Sequence, residues 1–243
     1  MNLILTMAGK YSRFKLFGSN VPKYLLPLGS GTVLVEIIKN LLASKSFNEI
    51  YLIANKQDQL FYPVLKSILQ IFNIPVKNLI YIDDTRSQLE TAIHASNLMS
   101  KEAQNLPVVI MNIDTVTRNR GRFFGLVKES GSDEGVVDVF NASSLQYSFV
   151  HPGDNFSVLS ISDAKAVSNL ACSGLYGFGS FDAMERDAIE LMMKSPGANF
   201  TKLYNYMIEK NKKIMFHESG DKRDTVVLGT PEEYVINMHR FKQ

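Results

Sequence analysis

The residues that could do chemistry fall in a few short stretches of the chain. The first is Met7-Ala8-Gly9-Lys10-Tyr11-Ser12-Arg13-Phe14, followed by Pro22-Lys23. A strand ending in Ala-Gly lets a ligand come close to the backbone. Free N–H groups in such a loop can cradle phosphates, and Arg13 and Lys23 supply the charge a polyphosphate needs. Read alone, the stretch is more simply an ordinary β–α loop with two solvated cations. It is no Walker loop, because no Gly-Lys-Ser/Thr ends it.

The second stretch is Asn112-Ile113-Asp114, directly after an apolar run. Ligands in open α/β sheets sit at the carboxyl ends of strands, where an aspartate can hold Mg²⁺ against substrate phosphates or simply cap the next segment. The third is Thr85-Arg86-Ser87-Gln88-Leu89-Glu90-Thr91. Gln88 and Thr91 are three apart on one helix face, and an amide both donates and accepts, as reading a base edge requires. The same residues also spell a capping box. Lys165 precedes the strand containing Ser173-Gly174-Leu175-Tyr176 and could meet a second phosphate, although a lysine before a strand is ordinarily a surface residue. Leu228-Gly229-Thr230-Pro231 is accounted for as a helix start.

Other chemistries lack their residues. His94, His151, His217 and His239 show no HxH or HExxH spacing, and no Gly-x-Ser-x-Gly elbow is present. Cys172 lies in an apolar run and reads as core rather than nucleophile. Asp83-Asp84 simply precedes a helix.

The elements that must position these stretches alternate in the first half. Strands are expected at Leu3 to Met7, Glu49 to Ala54, Leu79 to Ile82 and Val108 to Met111. Helices are expected over Val33 to Leu42, over Leu60 to Phe72, and from a cap at Thr85 to about Met99. This order indicates a parallel, doubly wound sheet. The second half is richer in strands: Gly135 to Phe140, Tyr147 to Val150, Ser157 to Ile161 and Ala171 to Phe178, then Lys213 to His217 and Thr225 to Leu228. Helices are expected at 181–193 and 200–210. Thr230-Pro231-Glu232-Glu233 starts a last helix, with Thr as N-cap, Pro at the first helical position and Glu three residues on. The expectation is one α/β domain over 1–243: a nucleotide-binding half (1–130), then a mixed extension and a C-terminal helix folding back (131–243).

The bulk composition agrees. The chain has 243 residues, 45% hydrophobic and 21% charged, an ordinary globular balance. Lys+Arg is 26 against Asp+Glu 24, too even for a nucleic-acid footprint or a polybasic membrane patch. The single cysteine forms no internal disulfide and no Cys zinc site, which favours a reducing, cytoplasmic location. No apolar run approaches the roughly 18 residues of a membrane span, and Met1 to Gly9 lacks the basic region of a signal peptide.

Taken in order, "MAGKYSRF … VPKYLLPLG … DDTRSQLET … VVIMNIDTV … SGLYGF … LGTPEEY" resembles the nucleotidyltransferases that act on sugar 1-phosphates. The likeness is to the branch beginning "MAGxGSRF…PKPLxP", often found with capsule and surface-glycan genes, and it runs from Met1 to about Asn237. It implies a Rossmann-like three-layer α/β/α sandwich with a mixed central sheet. It also implies an Mg²⁺-dependent enzyme that joins a nucleoside triphosphate to a sugar phosphate and releases pyrophosphate. Carried over, Ala8, Gly9 and Arg13, with Ser12 beside them, match the triphosphate loop. Lys23 matches the lysine that neutralises the α-phosphate. Gln88, with Thr91, falls where the base is contacted. Asp114 matches the metal aspartate, Gly174 a sugar-contacting backbone position, and Lys165 lies close to the sugar-phosphate lysine.

Three positions depart from the pattern. Tyr11 replaces a glycine of the loop. The usual Glu-Lys pair aligns with Asp163-Ala164, so Lys165 would serve from one position along. Leu228 stands where the wider family has a second metal carboxylate, with Asp221 and Asp224 the nearest substitutes. These departures keep open a decayed nucleotide-binding or regulatory homologue. A nucleotide-sugar-dependent glycosyltransferase is the other alternative, but it would carry Asp-x-Asp where this chain has Asn112-Ile113-Asp114. The sequence leaves base, sugar and homo-oligomer formation open.

Overall fold

The computed structural model describes residues 1–163, 165–219 and 222–241. Ala164 and Asp221, both named above, lie outside the described residues. In chain order the elements are β1 (Asn2–Met7), α1 (Ser12–Leu16), β2 (Pro27–Leu28), β3 (Gly31–Thr32), α2 (Val33–Leu42), β4 (Ile50–Asn55), α3 (Tyr62–Ile71), β5 (Leu79–Ile82), α4 (Gln88–Ile93), α5 (Lys101–Gln104) and β6 (Val108–Asn112). The second half adds β7 (Thr115–Thr117), α6 (Gly121–Glu129), β8 (Gly135–Asn141), β9 (Ser148–Pro152), β10 (Val158–Asp163), β11 (Leu170–Phe178), α7 (Phe181–Lys194), α8 (Phe200–Glu209), β12 (Ile214–Glu218), β13 (Thr225–Val227) and α9 (Pro231–Asn237).

β1 and β4 are buried along their whole length. Strands covered on both faces read as continuous apolar runs, which is why the parallel half was legible. The strands β5-β4-β1-β6 lie side by side, all parallel. The chain moves outward from β1 to β4 and β5, then returns to place β6 on the other side of β1. That reversal makes the gap between β1 and β6 the topological switch point. β11 then pairs antiparallel with β6, β8 antiparallel with β11, and β12 parallel with β8. The β9–β10 hairpin joins at the start of β11.

Successive side chains of β1 enter opposite layers. Leu3, Leu5 and Met7 pack with α2, α3 and α6, whereas Ile4 packs with α4, α7 and α8. The result is the expected three-layer α/β/α arrangement with a mixed sheet. Each such fully buried aliphatic side chain contributes about 1.5–3 kcal/mol relative to exposure. Among the described residues no helix is long and apolar enough to cross a membrane.

The short elements α1, β2, β3, α5 and β7 are additions to the sequence expectation, and α4 and α6 also differ from it. The cap of α4 is Ser87, whose hydroxyl accepts from Glu90 N at 3.1 Å, not Thr85. Thr85 is spent on Thr91, Oγ1 to Oγ1 at 2.6 Å, and Glu90 reaches back to Arg86 N at 2.6 Å. The helix is also shorter, ending at Ile93 and continuing as a 3₁₀ turn to Asn97. α6 was not foreseen. It holds Gly121 and Gly125 and has no side-chain cap, yet Phe123, Phe124 and Val127 bury it against the sheet. Packing overrides weak helix propensity here.

Candidate active site

The site is built on the carboxyl edge of β1, β4, β5 and β6. Asn55, the last residue of β4, ties that edge together: its amide donates to Ala8 O at 3.2 Å and to Asp84 Oδ1 at 2.9 Å. The Asn55 bond and then Lys10, 3.0 Å from Asp84, hold the Asp84 carboxyl below its usual range. The loop after β1 is thus anchored while Gly9 is left with open space around it.

Tyr11 takes a left-handed backbone, φ 34° and ψ 35°, a conformation uncommon for a bulky residue. Its side chain explains why. The hydroxyl donates to Asp58 Oδ1 at 2.9 Å, and Tyr24 donates to Asp58 Oδ2 at 3.0 Å. Asp58 is completely buried. Burial raises its carboxyl above the ordinary value, against the pull of the two phenol hydrogen bonds. Lys15 adds its ammonium 4.6 Å from the centre of the Tyr11 ring. The ring is drawn away from the loop's open side and does not line the cavity there.

That cavity encloses about 680 Å³ and is lined by Ala8, Gly9, Lys23, Gln88, Thr91 and Asp114 among others, a size that suits a small ligand. Gln88 opens α4, and its amide donates to Thr6 Oγ1 at 3.0 Å. Thr91 is buried, its hydroxyl shared with Thr85 and Ser87 O. Lys23 starts a 3₁₀ turn after Pro22 and forms an ion pair with Asp114.

A second cavity of about 240 Å³ lies on the other side of Asp114. Arg13, Tyr147, Ser173, Gly174 and Glu233 contribute to its lining, and Asn112 and Asp114 belong to both cavities. Gly174 sits at φ +88° where β11 breaks register, and a Cβ there would lie 2.3 Å from the Asn112 amide nitrogen. Only glycine lets the Asn112 side chain pack across β11. Asp114 is fixed from behind by Leu228 N, which donates to Asp114 O at 2.6 Å. Glu233 accepts from Gln146 and from Tyr147 OH through Oε1, while Oε2 accepts from Thr230 N at 3.0 Å. α9 therefore closes this cavity against the loop before β9.

Among the candidates, Ala8, Gly9, Lys23, Gln88, Thr91 and Asp114 come together in the first cavity. Arg13 does not join them. It lines the second, because α1 turns away after Tyr11 and carries Arg13 to the α9 side. Ser12 is exposed and lines neither cavity. Lys165 lies exposed in the loop between β10 and β11 and lines neither. Asp224 is no second metal carboxylate here: it accepts from Asn119 at 2.9 Å and lines neither cavity. Leu228 is buried. Sequence reading missed Asn55, Asp58 and the bonds of Glu233 to Gln146 and Tyr147, and it named Ser173 only as part of a strand. Of these only Glu233 had a signal, and its cap role masked it.

The donor set fits a cation shared with phosphates. Among the described residues no three His, Cys, Asp or Glu side chains converge on one point, so no protein cage exists. Mg²⁺ is commonly held by one or two carboxylates together with substrate phosphates and waters, and Asp114 supplies one such carboxylate on the wall of both cavities.

No protein-family model and no curated protein matches the chain significantly. Solved structures do. A nucleoside-diphosphate-sugar pyrophosphorylase from Vibrio cholerae superposes with a TM-score of 0.79 at 23% identity, over 98% of this chain and 99% of that one. A UDP-glucose pyrophosphorylase in complex with UDP-glucose gives 0.79 at 14% identity, over 99% and 97%. A Bacillus anthracis protein described as a glucose-1-phosphate thymidylyltransferase gives 0.77 at 14%, over 100% and 96%. The chain has a nucleotidyltransferase-like fold. Within that fold the first cavity is lined wholly by residues up to Asp114, whereas the second draws on both halves of the chain.

Proposed function

We propose that the protein is a cytoplasmic nucleotidyltransferase. It joins a nucleoside triphosphate to a sugar phosphate, or a related phosphorylated small molecule, and releases pyrophosphate. The motif branch suggests surface-glycan precursors as the product class. The observation that carries the reading is Asp114, which stands on the wall shared by two cavities and is ion-paired with Lys23 of the first. One cavity offers an open glycine loop and an amide for a base, the other a small polar chamber. Such a wall is where two phosphate groups would meet.

An ionised oxygen of the acceptor phosphate attacks the α-phosphorus in line. The new P–O bond forms as the bond to the β-phosphate oxygen breaks, and pyrophosphate carries away the electron pair. No general base is needed, because the attacking phosphate is already ionised near neutral pH. Lys23 neutralises charge growing on the α-phosphate, a contact worth most in the transition state. Asp114 would hold Mg²⁺, whose role when bound is to neutralise and orient the phosphates. Arg13 is the only cation lining the second cavity among the described residues, so it takes the acceptor phosphate in place of the distant Lys165. The Tyr11 ring, anchored on Asp58, leaves the loop free, which favours an active enzyme over a decayed one.

The test is pyrophosphate release with a matrix of the common nucleoside triphosphates against sugar and polyol phosphates, with Mg²⁺. At least one pairing should turn over. Silence across the matrix, with triphosphate binding retained, would overturn catalysis in favour of a binding protein.

A further inference from the structure

A third cavity, of about 350 Å³, lies at the far edge of the sheet and shares no lining residue with the first two. Leu126 of α6, Phe156 before β10, and Met215, Phe216 and His217 of β12 form it. The mixture of apolar walls with few polar groups is that of small-molecule sites.

Two observations make this more than a surface dent. The first is the turn that delivers Phe156. Asn155 and Phe156 are both left-handed, at φ 53° and 61°, a costly pairing for non-glycine residues of the kind found at ligand sites. It sets the Phe156 ring edge-on to Phe216, with centroids 5.6 Å apart, while Phe156 itself stays half exposed. An aromatic frame is thus held open to solvent on one side.

The second is His217, only 8% exposed. Its Nδ1 is 2.7 Å from Asp138 Oδ1. The other oxygen of Asp138 accepts from Arg120 Nε at 2.9 Å and from Ser173 Oγ at 2.6 Å. A carboxylate facing a guanidinium only accepts, so Nδ1 of His217 donates. In the neutral ring the lone pair is then on Nε2, where it can accept. Among the described residues Nε2 has no hydrogen-bond partner, and it is not sealed from solvent. The mouth carries one charge of each sign, Arg122 and Glu218, and so does not favour an ion.

We propose that this cavity binds a small, uncharged, planar aromatic molecule bearing an N–H or O–H donor. The ring lies against Phe156 and Phe216, and the donor bonds to His217 Nε2. Asp138 also holds Ser173, a wall residue of the second cavity, so the site is joined to that cavity by two consecutive hydrogen bonds. The inference does not depend on the proposed reaction.

Indole and 1-methylindole are suitable probes, alike in ring and volume but differing in the donor. Both are titrated into the full chain by NMR, following the His217 imidazole and the backbone amides. Indole should saturate and shift His217, with 1-methylindole at least tenfold weaker. Phe156→Ala, a half-exposed position whose loss should not unfold the chain, should weaken indole at least tenfold. Failure of indole to saturate, equal affinity for the two probes, or full affinity in Phe156→Ala would each overturn the proposal.

Discussion

Lys23 and Asp114 neutralise each other, and their partnership decides what a substitution does. In the proposed reaction Lys23→Ala removes a charge needed most as the α-phosphate rearranges. Turnover should fall by about 10²–10³ with little change in triphosphate affinity. Steady-state kinetics beside direct titration separate the two, and an unchanged kcat in a folded variant would remove Lys23 from the mechanism. At Tyr11 the left-handed backbone costs about 1–3 kcal/mol, offset by the hydroxyl bond to Asp58. Tyr11→Gly relieves the strain and loses the bond, while the ring it deletes is already outside the cavity. Wild type and Tyr11→Gly should therefore bind Mg²⁺–triphosphate within about tenfold of each other, or 1.4 kcal/mol. Binding by the glycine variant alone would show that Tyr11 blocks the loop. Asp58 gives a pH signature. Burial raises its folded pKa above the usual 3.8, so in the window above that value the folded state binds more protons than the unfolded state. The stability it contributes is therefore present at low pH and lost as pH rises through the folded pKa. Asp58→Asn removes that slope. Its stability relative to wild type should improve between pH 4 and pH 7 in denaturant titrations, and a parallel pair of profiles would refute the assignment.

At the scale of elements, α9 is the piece whose small size belies its position. Its box is complete: Thr230 Oγ1 accepts from Glu233 N at 3.1 Å, and Glu233 returns the bond. Thr230→Ala should cost about 1 kcal/mol. Because Glu233 also holds Gln146 and Tyr147, the acceptor KM should rise several-fold while triphosphate affinity holds. Equal weakening of both substrates would contradict that division. The same scale shows what could be read from sequence. β1, β4 and β6 were legible because burial on both faces leaves continuous apolar runs, and α9 because its cap is local. α6 was not, since its two glycines hide a helix that exists only through Phe123, Phe124 and Val127 in the core. The site divides likewise. Gly9 and Asp114 could be named from their places after strands, Lys23 from Pro22-Lys23 behind the glycine loop, and Gln88 from the helix face it shares with Thr91, and the structure brings these four to one cavity. The course of Tyr11 depends on Asp58, 47 residues away, and that of Arg13 on which way a five-residue helix leaves the loop. No local pattern encodes either.

For the whole molecule, the joint between the large sheet and the small β7–β13 ribbon is Arg120. Its guanidinium bonds Asp138 of β8, Ser219, Thr225 of β13 and the carbonyl of Arg118. Both Arg120 and Asp138 are almost fully withdrawn from water. Removing one partner of such a pair strands a charge, so Arg120→Ala should cost about 3–5 kcal/mol, read as a lowered urea midpoint. A loss under about 1 kcal/mol would mean that water reaches Asp138 and that the joint is not closed.

The shared wall has a consequence for how such a chain could change. Of these two cavities, Gln146, Tyr147 and Glu233 face only the second, and Gln88 and Thr91 only the first. Asn112 and Asp114 face both, and Gly174 is bound to Asn112 by contact. The molecule is therefore modular at its margins and indivisible at its centre. Under the proposed function, taste for a new acceptor can be acquired around α9 and the loop before β9, and taste for a new base along α4, each without disturbing the other. A substitution at Asn112 or Asp114 is read on both sides at once, so variation there is confined to changes that both cavities tolerate.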